Sequence, residues 1–273
     1  MKLRVAPATR RLLTNLSGDV PHALLLSGAT GVGLATLASH IAENEGRLLA
    51  HIRPESKSTA LASISVERIR ELYVETKSRL EGLNFVIIDD ADTMNTSAQN
   101  ALLKLLEEPN QSIRFILTSH SPDMLLPTIR SRTQQFTVPV IDLLESKRLL
   151  KELKVVDALD EQRLLFVAQG LPAELARLSS KESDFKLLTE RVQAARQLVE
   201  GSSYQRLALA MSYSGDRQQA VRFIDTVILL LRRTLSSKPD TDTLRMIERM
   251  TDASQAIRAN GNIKLQLSAA VLQ

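Results

Sequence analysis

The stretch NFVIIDDADTMNTSAQNALLKLLEEPNQSIRFILTSH, residues 84–120, places an amphipathic helix between two buried strands. Asn84 to Asp92 is an apolar run rich in β-branched residues that ends in carboxylates, and Ser112 to His120 is another apolar run. Between them, Thr96 to Pro109 carries apolar residues at helical spacing and closes with a proline. This alternation of strand and helix predicts a parallel sheet covered by helices on both faces.

The regions on either side of this stretch differ from each other. Residues 23–27 form a short apolar run that stops at a glycine-rich loop, and Leu34 to Glu45 then has helical spacing. QQFTVP, residues 134–139, is a last strand. From Ile141 onward only helical patterns follow, which predicts an α/β fold joined to an all-α region. The predicted helices there are residues 143–153, 160–169, 172–178, 185–198, 204–213, 217–235 and 241–260.

The glycine-rich loop SGATGVGLAT, residues 27–36, is similar to a phosphate-binding loop that has lost its charged chemistry. In the pattern G-x-x-x-x-G-K-[ST], glycines let backbone N–H groups surround the phosphates, the lysine reaches the outer phosphates and the hydroxyl binds Mg²⁺. Gly28 and Gly33 keep this spacing, whereas Leu34 and Ala35 occupy the lysine and hydroxyl positions. The loop keeps the backbone of a nucleotide site, although any glycine-rich turn between a strand and a helix can have such a sequence.

Two carboxylates at the end of the strand that begins at Asn84 are the next candidate site residues. Active nucleotide hydrolases place an aspartate there for Mg²⁺ and often a glutamate that orients the attacking water. Asp89 would be the magnesium carboxylate, and Asp90, one methylene shorter than glutamate, would take the second position. The alternative is an ordinary strand that ends in a polar turn, but the glycine-rich loop upstream favours a nucleotide site.

Composition and charge limit the classes of function. The 273 residues, 44% of them apolar, are enough for two or three domains. The absence of cysteine excludes disulfides, thiolate nucleophiles and cysteine-bound zinc, and the four histidines lack ligand spacing, so we expect no metal site. We expect a cytoplasmic protein without a membrane span, because no apolar run approaches roughly 20 residues. The net charge of +4, whose basic excess lies after Ser183, is compatible with a position near nucleic acid.

Residues 86–136 resemble the clamp-loader branch of the AAA+ ATPases, and in particular the delta prime subunits of bacterial DNA polymerase III. The resemblance is carried by NALLKLLEEP (residues 100–109), by PDML (residues 122–125) and by the tripeptide SRT (residues 131–133). The family usually has cysteine where Thr133 stands, and we interpret that cysteine as a packing residue. Weaker similarity extends through the rest of the chain.

The resemblance implies a division into three domains. These would be a RecA-like AAA+ domain in residues 1–139, a small helical lid domain in residues 140–183 and a helical oligomerisation, or collar, domain in residues 184–273. The four-cysteine zinc module common in the family is absent, since the corresponding residues 45–63 form a short segment without cysteine.

Individual positions acquire roles from the resemblance. Arg132 would be an arginine finger that points across a subunit boundary into a neighbour's ATP site, whereas without the family motif Arg130 and Arg132 would be ordinary surface charges. Ser119, or its neighbour Thr118, matches the polar sensor-1 position, and Ala173 stands where active relatives have the sensor-2 arginine. The candidate nucleotide-site residues, which we expect to form an inactive site, are Gly28, Gly31, Gly33, Leu34, Ala35, Asp89, Asp90, Ser119 and Ala173.

The sequence and the resemblance together predict a non-catalytic clamp-loader subunit that acts as a rigid stator and supplies Arg132 to a neighbour during DNA replication. Without the lysine, the magnesium hydroxyl and the sensor arginine, most of the electrostatic stabilisation of phosphoryl transfer is missing. Its expected partners are the gamma/tau motor subunits and the delta subunit, and indirectly the sliding clamp and primer-template DNA. ATP would be bound by the neighbours, and this chain would carry no cofactor. Two alternatives stay open: an active clamp-loader ATPase with an unorthodox loop, and an AAA+ adaptor outside replication.

Overall fold

The computed structural model describes residues 4–55, 62–76, 81–107, 110–155, 157–180, 182–237 and 240–272. Of these, the residues up to Ser180 form one compact unit and those from Glu182 onward form another. Pro109, predicted to close a helix, and residues 56–61 of the short cysteine-free segment lie outside the described residues.

A five-stranded parallel sheet forms the centre of the first unit. Its strands are β1 (Ala23–Ser27), β2 (Arg47–Ile52), β3 (Asn84–Ile88), β4 (Ile113–Ser119) and β5 (Gln134–Thr137), in the spatial order β2-β3-β4-β1-β5. Because β3, β4 and β1 are neighbours, their carboxyl ends bring Asp89, Thr118 and the glycine-rich loop to one edge of the sheet. The sequence analysis did not predict β2, an edge strand whose first residues are exposed and which therefore lacks a continuous apolar run.

Helices cover both faces of this sheet. They are α1 (Pro7–Leu16), α2 (Leu34–Glu45), α3 (Val66–Glu75), α4 (Thr96–Glu107) and the short α5 (Pro127–Arg130). Apolar residues of α1 and α2 pack on one face, and those of α3 and α4 pack on the other. Successive residues of β1 point to opposite faces, so that Leu24 joins the first cluster and Leu25 the second. This burial on both faces explains why the strands are continuous apolar runs in the sequence.

The first unit continues into three more helices, α6 (Leu143–Glu152), α7 (Ala158–Ala168) and α8 (Pro172–Ser180). Asp142 and Asp157 are the N-caps of α6 and α7, and their carboxylates accept backbone N–H groups. Arg4 forms ion pairs with Glu145, at 3.0 Å, and with Glu152, which attach the N-terminal segment to α6. Since these helices share a compact unit with the sheet, a separate lid domain stays a prediction.

The second unit is helical in the part of the chain that the structure describes. Its helices are α9 (Glu182–Glu200), α10 (Ser203–Ser212), α11 (Arg217–Ser237), α12 (Thr241–Arg258) and α13 (Ile263–Leu272). Phe223 of α11 is buried, and Tyr213 stacks on it with ring centroids 4.0 Å apart. The α/β unit and this helical unit confirm the predicted fold class. Among the described helices, none combines the length and apolar content needed to cross a membrane.

Candidate functional site

The glycine-rich loop joins β1 to α2. Gly31 and Gly33 have φ values of 88° and 94°, in the left-handed region that glycine adopts without strain. Leu34 begins α2 and is 2% exposed, within the apolar cluster between α1, α2 and the sheet. The position that holds a phosphate-binding lysine in active loops is therefore part of the core, and Ala35 beside it offers no metal ligand.

Helix α8 lies directly on this loop. The backbone N–H groups of Ala173 and Glu174 donate to the Gly31 carbonyl oxygen at 3.0 and 3.1 Å. A Cβ atom placed on Gly33 would lie 3.4 Å from the Ala173 Cβ. The free N–H groups of a helix N-terminus favour anions, but here a backbone carbonyl accepts two of them. The structure thus brings Ala173, which the resemblance predicts to be the sensor-2 position, onto the loop, where its side chain presents a methyl group.

Asp89 and Thr118 meet where β3 and β4 end. The Thr118 hydroxyl donates to Asp89 Oδ1 at 2.6 Å and accepts the backbone N–H of Asp90 at 2.9 Å. Thr118 and Ser119 are both fully buried, so neither hydroxyl is solvated. Ser119 Oγ accepts the backbone N–H of Ser121 at 3.1 Å. Of the two sensor-1 candidates, Thr118 is the one that contacts Asp89, and a sensor role for Ser119 stays a prediction.

His120 was missed by sequence reasoning, although its position directly after β4 is a signal that could have indicated it. Its Nδ1 lies 2.8 Å from the Gly28 carbonyl oxygen, and its Nε2 lies 3.4 Å from Asp90 Oδ1. Burial raises the pKa of the Asp90 carboxyl, the charge of Asp89 adds to the rise, and His120 opposes it. We call the loop together with Asp89, Asp90, Thr118, His120 and Ala173 the cleft; its polar groups are bonded mainly to one another.

Arg132 lies in the turn between α5 and β5, and 38% of its side chain is exposed. Its Nη2 is 2.8 Å from Glu107 Oε1 at the end of α4, and its Nη1 donates to the Thr128 carbonyl oxygen at 3.1 Å. Arg130, in the same turn region, pairs instead with Asp123 at 2.8 Å. We call Arg132, Glu107 and Thr128 the arginine edge. Among the described residues, the recorded polar contacts of the Arg132 side chain are with this edge and not with the cleft.

Thr133, the departure from the family pattern, is 9% exposed. Its hydroxyl donates to the Arg130 carbonyl oxygen at 3.1 Å, so the buried oxygen has a partner. A small buried residue at this position is consistent with the packing role inferred for the family's cysteine. Ile129 of α5 is fully buried and anchors the turn that carries Arg132.

Gln99 of α4 is a second residue that sequence reasoning missed. It is 4% exposed, and its Nε2 donates to the carbonyl oxygens of Met94 at 3.0 Å and Met124 at 3.1 Å. Its Oε1 accepts the backbone N–H of Leu126 at 2.7 Å. One buried amide thus fixes the segment that leads into α5, and a polar residue on the apolar face of a predicted helix was the signal for it.

Comparison with known proteins finds similarity to subunits of DNA polymerase III. Residues 41–142 match a family model described as DNA polymerase III, delta subunit. The chain is 32% identical over 206 residues to DNA polymerase III subunit delta' of Pseudomonas aeruginosa, a match that covers 64% of this chain and 61% of that protein. It is 31% identical over 180 residues to DNA polymerase III subunit gamma of Buchnera aphidicola subsp. Schizaphis graminum, which covers 55% of this chain and 48% of that protein. The chain therefore spans about half to three-fifths of the length of these relatives.

A solved structure supports the fold. The crystal structure of a DNA polymerase III gamma subunit-related protein from Thermotoga maritima has a TM-score of 0.53 at 19% identity, over 96% of this chain and 97% of that one. At this identity the likeness shows the fold alone, a parallel sheet with helical regions. In sequence this chain is similar to the delta' and gamma subunits of bacterial DNA polymerase III, and in fold it is similar to a gamma subunit-related protein.

Proposed function

We propose that this chain is a non-catalytic subunit of the clamp loader that supplies Arg132 in trans to the ATP site of a neighbouring subunit during DNA replication. One observation carries the proposal: a guanidinium, 38% exposed, stands at the arginine edge, while the chain's own loop presents Leu34 and Ala35. An exposed guanidinium can stabilise the charge that develops when a partner's phosphoryl group is transferred, as arginine fingers do.

The cleft residues do not fit Mg·ATP. Leu34, Ala35 and Ala173 stand where a lysine, a metal-binding hydroxyl and an arginine would contact phosphate or Mg²⁺. If each lost contact were worth about 3 kcal/mol in the transition state, hydrolysis would be slower by roughly 10⁶-fold. The N–H groups at the start of α8 are also directed at Gly31. In this proposal, hydrolysis therefore takes place in the neighbour.

The role of a rigid stator is supported by contacts within the first unit. Two hydrogen bonds join α8 to Gly31, and Arg4 joins the N-terminal segment to Glu145 and Glu152 of α6. The polar atoms in these contacts are satisfied by the chain itself. The lid helices therefore need no bound nucleotide to stay against the sheet.

The proposed partners follow from the names of the relatives. One similar protein is a delta' subunit and another a gamma subunit of DNA polymerase III. We therefore place this chain beside gamma/tau motor subunits and a delta subunit in the cytoplasm, where the complex would act on the sliding clamp and primer-template DNA. Because the matches span only part of those proteins, each of these partners belongs to the proposal.

The test is Arg132→Ala in a complex reconstituted from this chain and the motor subunits. Loss of an arginine finger lowers the rate at the site it serves by about 10³ to 10⁵. We expect the ATP turnover of the complex to fall by the amount that this one ATP site contributes to the total, while assembly of the complex is unchanged. The readouts are steady-state hydrolysis and size-exclusion chromatography of the complex.

Arg130→Ala is the matched control, because Arg130 lies in the same turn region and pairs with Asp123. It should leave turnover unchanged. Equal turnover of the Arg132→Ala complex and the parent complex would overturn the proposal.

Two further measurements separate the alternatives. Hydrolysis by the isolated chain, well above a no-enzyme blank, would favour an active ATPase with an unorthodox loop. Co-purification from the native cell tests the adaptor alternative, since a clamp-loader subunit brings down the motor and delta subunits. Recovery of this chain with other partners and without those subunits would favour an adaptor outside replication.

A further inference from the structure

The Arg132 guanidinium is held from two sides. Nη2 contacts the Glu107 carboxylate at 2.8 Å, and Nη1 donates to the Thr128 carbonyl oxygen at 3.1 Å. Each of these nitrogens carries a second N–H, and Nε carries another. The guanidinium can therefore keep both internal contacts and still offer N–H donors to a phosphate outside the chain.

The groups that hold Arg132 are themselves fixed. Thr128 lies in α5, which the fully buried Ile129 anchors. Gln99 binds the segment before α5 through Met124 and Leu126. Both ends of helix α4 therefore contact the region around Arg132. Gln99, near the beginning of the helix, binds the segment before α5, and Glu107, at the end of the helix, binds Arg132 itself.

We infer that Glu107 is a positioning residue for Arg132, which orients the guanidinium toward the partner's ATP phosphates before the subunits meet. This inference rests on the proposed function of Arg132 in trans. A long exposed arginine otherwise samples many rotamers, and a guanidinium held in advance loses less conformational freedom when it binds. The role of Glu107 is geometric, because its contact selects one orientation.

If the role of Glu107 is geometric, the variants Glu107→Gln and Glu107→Ala should have different effects. Glutamine keeps an oxygen that accepts from Nη2 but removes the charge, whereas alanine removes both. Positioning therefore requires Glu107→Gln to be close to the parent and Glu107→Ala to be impaired. If the carboxylate instead neutralised the charge of Arg132, both variants would be faster than the parent, and if it restrained Arg132 through the hydrogen bond, Glu107→Ala would be faster.

The experiment compares reconstituted complexes that contain the parent chain, Glu107→Ala or Glu107→Gln, each with Arg132 and with Arg132→Ala. We expect Glu107→Ala to lower the Arg132-dependent kcat by about tenfold with KM unchanged, and Glu107→Gln to stay within about twofold of the parent. In the Arg132→Ala background, Glu107→Ala should have no further effect. Asp123→Ala, which frees Arg130 rather than Arg132, is the matched control and should not change kcat.

The outcomes separate this inference from the function on which it rests. If Arg132→Ala lowers turnover and Glu107→Ala does not, or if both Glu107 variants raise it, the positioning role is wrong and the finger remains. If Arg132→Ala has no effect, the proposed function and the inference both fail. Thermal unfolding of the isolated chain should be the same for all Glu107 variants, since an exposed ion pair adds little to stability.

Discussion

The cleft and the arginine edge belong to the same compact unit, yet they direct their polar groups differently. In the cleft, Thr118 binds Asp89, His120 approaches Gly28, and α8 donates to Gly31. At the edge, the partly exposed Arg132 keeps N–H donors that its two internal contacts do not use. The polar groups of the cleft are thus used within the chain, while a guanidinium, a group suited to phosphate, stands partly exposed at the arginine edge. Three substitutions test whether the cleft is architecture, and they follow from the largest expected effect to the smallest.

Leu34→Ala tests whether the position of the lysine in the phosphate-binding pattern is part of the core in this chain. Leu34 is 2% exposed, and removal of such a side chain typically lowers the free energy of unfolding by about 3 kcal/mol. Urea unfolding followed by circular dichroism measures this change. Leu144→Ala is the control, since Leu144 is 58% exposed and its loss should change stability by less than about 0.5 kcal/mol. Equal, small effects of the two variants would mean that the loop position is not structural.

Gly31→Ala tests the contact between the loop and α8. Alanine at this position would have to adopt the left-handed φ of 88°, and its Cβ would lie 2.8 Å from the Glu174 Cβ. We therefore expect the free energy of unfolding to fall by about 2 kcal/mol, and amide hydrogen exchange at the first turn of α8 to become faster. Gly18→Ala is the matched control: its φ is 80°, but nothing lies within 4 Å of the added Cβ. Its free energy of unfolding should fall only by the cost of a left-handed backbone at alanine, about 1 kcal/mol. If the two variants are equally stable and α8 exchanges at the parent rate, the contact with Gly31 does not hold α8 in place.

Asp90→Asn tests whether the buried negative charge of Asp90 makes the stability of the folded chain depend on pH. The folded-state pKa of Asp90 is raised, first by burial and then by Asp89, so the folded chain binds this proton more tightly than the unfolded chain. The free energy of unfolding therefore falls as the pH rises from the ordinary pKa of an aspartate, which applies in the unfolded chain, through the raised pKa of the folded chain. Asparagine removes this loss and tolerates the left-handed φ of 47°.

For this last variant we expect stability equal to that of the parent in acid and higher than the parent at neutral pH, measured by urea unfolding across the pH range. Asp123→Asn, whose parent carboxylate is 91% exposed, is the control and should follow the parent at each pH. A neutral-pH stability of Asp90→Asn below that of the parent would contradict the expected sign.

The sequence could predict those parts of the fold that are buried on both sides. β1, β3 and β4 are continuous apolar runs because helices cover both faces of the sheet, whereas β2 begins with the exposed Arg47 and Leu48 at the sheet edge and was missed. The amphipathic pattern likewise indicated α4. It could not indicate α13, whose apolar residues are not confined to one face.

Residues of the candidate site could be predicted where a sequence motif gives their position. Contacts between residues that are distant in the sequence could not be predicted. Leu34, Ala35 and Ala173 were located by their place in known patterns, and α8 does bring Ala173 onto the loop. The pair of Glu107 and Arg132 joins residues far apart in the sequence and depends on how α4 packs beside α5. Thr118 and Ser119 were equivalent in the sequence, and only the folded strand ends show which hydroxyl faces Asp89.

The Gly31 carbonyl has one more consequence. By accepting the first N–H groups of α8, it gives that helix a permanent cap made from the chain's own backbone. These two N–H groups are therefore satisfied whether or not a ligand lies near the loop. If the proposed function is right, this contact should be the same whatever the cellular ratio of ATP to ADP, and the chain would offer a constant reference against which mobile neighbours can move.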